Sequence, residues 1–236
     1  MSTDNQSRRI AQGGPPLAPV AIAAVALFMA SLVVPTIIAG GDVYPSPFGS
    51  GQAALDYFAD HRSSVQLMAL LQFAAAIPFA VFAATVSVRL NRLGVRAPGA
   101  TIALAGGVLA AGSMLLSAML TWAVGRPETL EHAELVRLLH DLAFISGGPG
   151  VVVPGGLLVA GIAVPGLLAG LLPRWFALAG LVLAGIAMIS ILAVRFSDLA
   201  FLLPIARFPG FLWLIASAVL LPQHRAAANR TAGEVA

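Results

Sequence analysis

The sequence predicts an all-α fold, a polytopic transmembrane helical bundle of about six helices. Three observations carry this. The 236 residues are 59% hydrophobic and only 10% charged, with a mean hydropathy of +0.93. A soluble globular domain carries roughly 25% charge, so this chain could not clothe a water-facing surface, whereas lipid removes that need. Six apolar stretches are each long enough to cross a hydrocarbon core of about 30 Å. All thirteen basic residues are arginines, most of them scattered at the ends of those stretches, where they act as membrane anchors and topology signals. The net charge of +3 therefore does not imply nucleic acid as a partner.

Residues 1–17 are polar and then rich in Gly and Pro, which predicts a disordered cytoplasmic tail. Ser7-Arg8-Arg9 loosely follows a twin-arginine export signal. The apolar run that follows is long for a signal peptide and has no clear small-residue cleavage site, so it reads as a retained first helix. A membrane domain is expected over 18–222, with spans at 19–39, 65–88, 100–123, 138–164, 174–194 and 199–221, then a cytoplasmic tail over 223–236. Arg8, Arg9, Arg89, Arg92, Arg96, Arg174, Arg225 and Arg230 fall on one side, against Arg62, Arg126, Arg137 and Arg195 on the other. The positive-inside rule then puts both termini in the cytoplasm, and the expected location is the inner (plasma) membrane.

The segment 52–62 reads as a short helix at the outer membrane surface, with Asp56 and Asp60 on one face and Leu55, Tyr57 and Phe58 nearby. Pro127 suits a first helical position, and Glu128 and Glu131 suit the positive dipole end. This second outer helix is expected to run straight into the fourth span. The run Ala103-Leu104-Ala105-Gly106 recurs as Ala177-Leu178-Ala179-Gly180 in a span of the same direction. A duplicated hairpin would produce that, as would chance in so small an alphabet.

Polar residues inside the spans are the candidates for function. The fourth span holds two prolines and five glycines between Ser146 and Gly156. The favoured reading is a kinked helix whose glycines admit a close neighbour. The competing one is an unwound segment whose free backbone groups line a cavity. Arg207 lies inside the sixth span between Pro204 and Pro209, where a charge costs at least about 2.5–3.5 kcal/mol. It needs a ligand, water, carbonyls freed by Pro209 or a route to the interface. At 1.5 Å per residue, Arg207, Ser146 and Gly147 all lie roughly 12–14 Å below the outer ends of their spans, and Gln72 and Ser117 about 10 Å. Arg207, Gln72, Ser117, Ser146, Gly147 and Gly148 thus form one candidate binding layer for a small anionic or amphipathic ligand.

His140 and Asp141 begin the fourth span and are candidates for proton handling. Arg137 stands one turn before Asp141, and a structural ion pair between them is the favoured account. There is no cysteine, and His132 and His140 lie about 12 Å apart along a helix, so they cannot share one ion. No metal and no cofactor is expected. Hydrolase and phosphate-loop signatures are missing, and no catalytic residue is assigned; the chain leans away from an enzyme.

Leu70-Leu71-Gln72-Phe73 with Ile77-Pro78, the run from Phe144 to Gly156, and Leu203-Pro204-Ile205-Ala206-Arg207-Phe208-Pro209-Gly210-Phe211 resemble a family of small bacterial six-helix membrane proteins known only as a domain of unknown function. The resemblance covers most of the chain beyond the N-terminal tail. It implies a fold and no mechanism. The leading expectation is a bundle that binds or moves a small or amphipathic molecule through an outward-facing polar cavity. A non-catalytic accessory or sensor subunit of a membrane complex is the first alternative, and an embedded enzyme acting on a lipid or isoprenoid the second. Membrane lipids are expected partners, and self-association or a heteromeric complex stays open.

Overall fold

A computed structural model describes residues 14–223; the tail readings for 1–13 and 224–236 lie outside the described residues. The helices are α1 (Leu17–Ile38), α2 (Gly51–Asp60), α3 (Arg62–Arg92), α4 (Gly99–Val124), a short α5 (Pro127–Leu130), α6 (Ala133–Gly147), α7 (Pro149–Leu168), α8 (Arg174–Ile189) and α9 (Leu202–Leu220). Two 3-10 turns, Ser190–Val194 and Ser197–Leu199, join α8 to α9. No strand occurs among the described residues.

Six stretches are long and apolar enough to cross a membrane: Leu17–Ile38, Arg62–Arg92, Gly99–Val124, Ala133–Leu168, Arg174–Val194 and Ser197–Leu220. The chain is a multi-pass membrane protein. Its helices are apolar around most of their circumference, so each buries one face in the bundle and leaves Ile37, Val182 or Leu212 on the lipid side.

Successive spans pack as neighbours. α1 lies on α3, α3 on α4, α4 on α6 and α7, α7 on α8, α8 on α9, and α9 returns to α1. The ring closes on Phe28 and Phe211, edge to face at 5.0 Å. Trp213 stacks on Phe176 at 5.0 Å and donates from Nε1 to Phe176 O at 2.9 Å.

At the α4–α7 seam the two backbones come into close approach. A Cβ on Gly106 would stand 2.5 Å from Leu158 N and 2.6 Å from Pro154 O, so only glycine fits there. Gly180, its counterpart in the repeated motif, would meet the Trp213 ring of α9 instead, at 2.5 Å. The two copies of the motif therefore face different kinds of neighbour.

One end of the bundle, the loop-rich end, carries the longer connections 39–61, 125–132 and 195–201. There α2 turns Ala54 and Phe58 inward onto Val65, Val124 and Val136 in a small separate core, the Phe58 ring burying most of the apolar surface. The structure departs from expectation at the next helix. Pro127 does open a helix, but that helix stops at Leu130, and extended His132 (φ −126°, ψ 93°) separates it from the fourth span.

Candidate functional site

The fourth span is two helices. α6 ends at Gly147, Pro149 opens α7, and Gly148 (φ −85°, ψ −99°) stands between them outside helical geometry. Proline has no N–H and crowds the carbonyl one turn back, which breaks the bonding ladder at this point. Gly148 N still donates to Phe144 O at 2.6 Å, and Val151 N and Val152 N restart the ladder on Gly148 O at 3.2 and 3.0 Å. Pro154, by contrast, sits inside a continuous α7. The irregularity is one residue wide and does not extend to Gly156.

The break leaves Gly147 O to a side chain, and Arg207 takes it. Arg207 Nη2 donates to Gly147 O at 2.5 Å and, at 3.4 Å, to Gly148 O. The guanidinium carbon also lies 5.5 Å from the centre of the Phe28 ring. The carbonyls come from the neighbouring span, not from the turn of α9 that Pro209 disrupts. Arg207 has no carboxylate partner among the described residues, and its buried Nε has no hydrogen-bond partner.

Beside this contact lies a cavity of about 290 Å³ in the loop-rich half of the bundle. Arg207, Gln72, Ser117, Gly147 and Gly148 all line it, as does His140. Phe28, Leu32, Met68 and Leu203 make much of the remaining wall apolar, and no Asp or Glu contributes to it. Ser117 reaches Ala143 O at 2.9 Å. Its hydroxyl occupies the place a Gly147 side chain would need.

Two of the sequence candidates lie apart. Ser146 folds its hydroxyl back onto Leu142 O and Ala143 O at 2.6 and 3.2 Å and is not among the lining residues. Serine in mid-helix commonly does this, since its own carbonyls are the nearest acceptors. Asp141 is also off the cavity wall, half-exposed and paired with Arg137 Nε at 3.1 Å. Its neighbour His140 is fully buried. Among the described residues no group of three His, Cys, Asp or Glu side chains is placed to hold a metal ion.

The roof of the cavity is a strap, residues 39–50, that the sequence did not single out. Gly40 and Gly41, with φ of 72° and 101°, turn the chain sharply after α1. Tyr44, Pro45 and Pro47 then line the cavity. Arg137 holds the strap through Nη2 to Pro47 O at 2.7 Å and Nη1 to Gly49 O at 3.2 Å. His140 Nε2 meets Pro45 O at 3.1 Å. The Tyr44 ring stands edge-on to Phe58 and His140, each at 5.4 Å. Burial pushes the Tyr44 hydroxyl well above the usual phenol range, against the opposing hydrogen bond with Thr121, so it stays neutral.

The chemistry available is that of a half-buried guanidinium with unused donors, an amide, a serine hydroxyl and an imidazole around a largely apolar chamber. Such chambers take small molecules, the few polar groups fixing their orientation. A guanidinium fork is matched by carboxylate, phosphate or carbonyl oxygen. Comparison of the chain with models of protein families, with curated proteins and with solved structures finds no match.

Proposed function

We propose that this membrane protein binds a small anionic or carbonyl-bearing molecule in the cavity beneath the strap. The observation that supports this reading is Arg207. Its charge is held within the bundle with no carboxylate near it, and Nη2 alone serves to brace the fourth span. A brace needs only that nitrogen. Arg207 lines a chamber that has no acid in its wall, its Nη1 makes no hydrogen bond among the described residues, and an oxyanion there would neutralise the charge.

In the same reading the loop-rich end faces outward and both termini are cytoplasmic, which rests on the arginine asymmetry of the whole sequence. The guest then enters from the outer side. Reporter fusions near Gly51 and Glu131 should read as outside; a cytoplasmic Glu131 would reverse the orientation.

The test of function is an unbiased one. Full-length protein and the Arg207→Leu variant are purified in the same detergent, and extracted small molecules are compared by mass spectrometry. An acid or carbonyl compound enriched with the wild type and lost with the variant is the expected result. Identical extracts from both proteins would overturn the proposal.

A further inference from the structure

The end of the bundle opposite the strap holds a second cavity, of about 340 Å³. It lies between α4 and α7 beside the connection that joins α3 to α4, and Arg96 of that connection is its one charged lining residue. Its floor is backbone. A Cβ on Gly99 would stand 3.1 Å from Gly161 O, and one on Gly161 would stand 2.7 Å from Gly99 O. Two facing glycines thus hold the helices together and leave a trough between the side chains that flank them. Its walls are Ile102 on α4 and Val164 and Leu168 on α7, all three exposed at the surface of the bundle. In a multi-pass membrane protein that apolar surface meets lipid.

Two features say what fills it. The first is shape. α7 contributes one stripe of its surface, from Ala160 to Ala169, about 13 Å of helix rise. The hydrocarbon of one leaflet is about 15 Å thick. A groove that is apolar over most of that depth suits an acyl chain and not a compact solute. The second feature is charge. Arg89, Arg92, Arg96 and Arg174 all stand at this end, whereas every Asp and Glu among the described residues belongs to the loop-rich half. Arg96 has no ion-pair partner among the described residues. A guanidinium at the end of an apolar groove complements a phosphate at the head of a chain. With no acid nearby, a choline headgroup would bring its own cation among four arginines, so a lipid of net negative charge fits better.

We propose that this groove binds one anionic phospholipid of the adjoining leaflet, with an acyl chain along the Gly99–Gly161 floor and the phosphate on Arg96. The site is separate from the cavity beneath the strap and does not depend on which way the chain faces. Arginines at span ends also set topology, and that role alone would make them interchangeable here. The groove singles out Arg96.

The experiment titrates full-length protein in detergent with dioleoyl phosphatidylglycerol or dioleoyl phosphatidylcholine, which share their chains, and counts bound lipid by native mass spectrometry. Glycerol 3-phosphate, which has the phosphate and no chain, serves as competitor. One phosphatidylglycerol per chain should be held about fivefold or more tighter than phosphatidylcholine, and excess glycerol 3-phosphate should not displace it. Arg96→Gln should bring the two lipids level, and Arg96→Lys should keep most of the preference. Arg92→Gln, off the groove, should change it by less than about twofold. Val164→Trp puts a ring into the groove and should weaken both lipids about tenfold, whereas Val182→Trp on the lipid face of α8 should leave them unchanged. Ile102→Trp, on the facing wall, is read in its place if Val164→Trp folds poorly. Equal binding of the two lipids by the wild type overturns the proposal. An equal loss in Arg92→Gln and Arg96→Gln does so too, since the attraction is then diffuse surface charge. Displacement by glycerol 3-phosphate makes the site one for a free phosphate, and lipid binding unchanged by tryptophan in the groove puts the lipid elsewhere; either result overturns it.

Discussion

The two halves of the fourth span use glycine in opposite ways. At Gly147 and Gly148 the helix stops, and the freed carbonyl turns to a guanidinium beside an open chamber. Further along, Gly161 lies in an unbroken helix, where a side chain would run into Gly99 O at 2.7 Å and there is no room at all. Both regions are rich in glycine, and both sit against α4. The difference is the neighbour. Pro149 removes a donor where a polar side chain is within reach, whereas Pro154 lies where the facing surface is backbone and alkyl. Glycine in a span thus marks close approach, and the partner decides whether that approach seals a seam or frames a site.

The largest effect should come from the seam. Gly106→Leu would drive a side chain into the Leu158 and Pro154 backbone, which cannot move aside, at a cost of about 3 kcal/mol or more. Fluorescence-detected size exclusion should show loss of folded protein. Gly112→Leu on the same helix, with nothing within 4 Å of its Cβ, should behave as wild type. Equal behaviour of the two would erase the contrast between seam and site.

At the site the expected stability change is smaller because two terms oppose each other. Arg207→Leu forfeits a charge-assisted bond to Gly147 O worth about 1.5–3 kcal/mol and relieves a charge that costs about 2.5–3.5 kcal/mol in a bilayer. Melting temperature should move by only a few degrees while acid binding disappears. Arg207→Lys keeps the charge without the fork and should bind more weakly than wild type. Outright unfolding of the Arg207→Leu variant would make Arg207 mainly a brace.

The strap gives a third, local effect. Arg137→Gln releases Pro47 O and Gly49 O together, so hydrogen exchange over 42–50 should quicken, by an amount equivalent to about 1–2 kcal/mol. Asp141→Asn breaks only a half-exposed pair and should cost less than about 1 kcal/mol. The double change should match Arg137→Gln, since the strap bonds go with the arginine. If Asp141→Asn instead abolishes activity in folded protein, Asp141 is handling protons.

The smallest pair separates local from cross-helix serines. Ser146→Ala loses a bond within its own turn and should shift stability by less than about 0.5 kcal/mol. Ser117→Ala removes the α4–α6 bond to Ala143 O and should cost about 1 kcal/mol. The reverse order would place Ser146 in the cavity wall after all.

Much of this was legible in the sequence, for identifiable reasons. A span is recorded locally, in some twenty consecutive apolar residues, so all six appear within a few residues of their structural limits. Helix rise is constant, so counting residues placed Gln72, Ser117, Gly147 and Arg207 at one depth, and they line one cavity. Counting gives height and not azimuth, which is why Ser146, one residue before Gly147, was grouped with residues it does not join. The strap was hidden for a different reason. Arg137 meets carbonyls of Pro47 and Gly49 far away in the chain, and any residue has a carbonyl, so no residue type announces the contact. The inward face of α2 was equally hidden, because Phe58 has the same pattern on a helix facing lipid as on one facing Val136.

Pro45 and Pro47 have a consequence for the cost of ordering the strap. Each fixes φ near −65°, and ordering a free residue costs about 1–2 kcal/mol in conformational entropy. A segment with two of its dihedrals already set has fewer shapes to lose on closing. It also has two fewer amide hydrogens that would be stranded when it faces an apolar chamber. The turn into the strap is made at Gly40 and Gly41, where positive φ is cheap and both amides bond back to the last turn of α1, at Ile37 O and Thr36 O. The two prolines thus preset the strap toward the single shape that lines the cavity, and Gly40 and Gly41 supply the turn that brings it there.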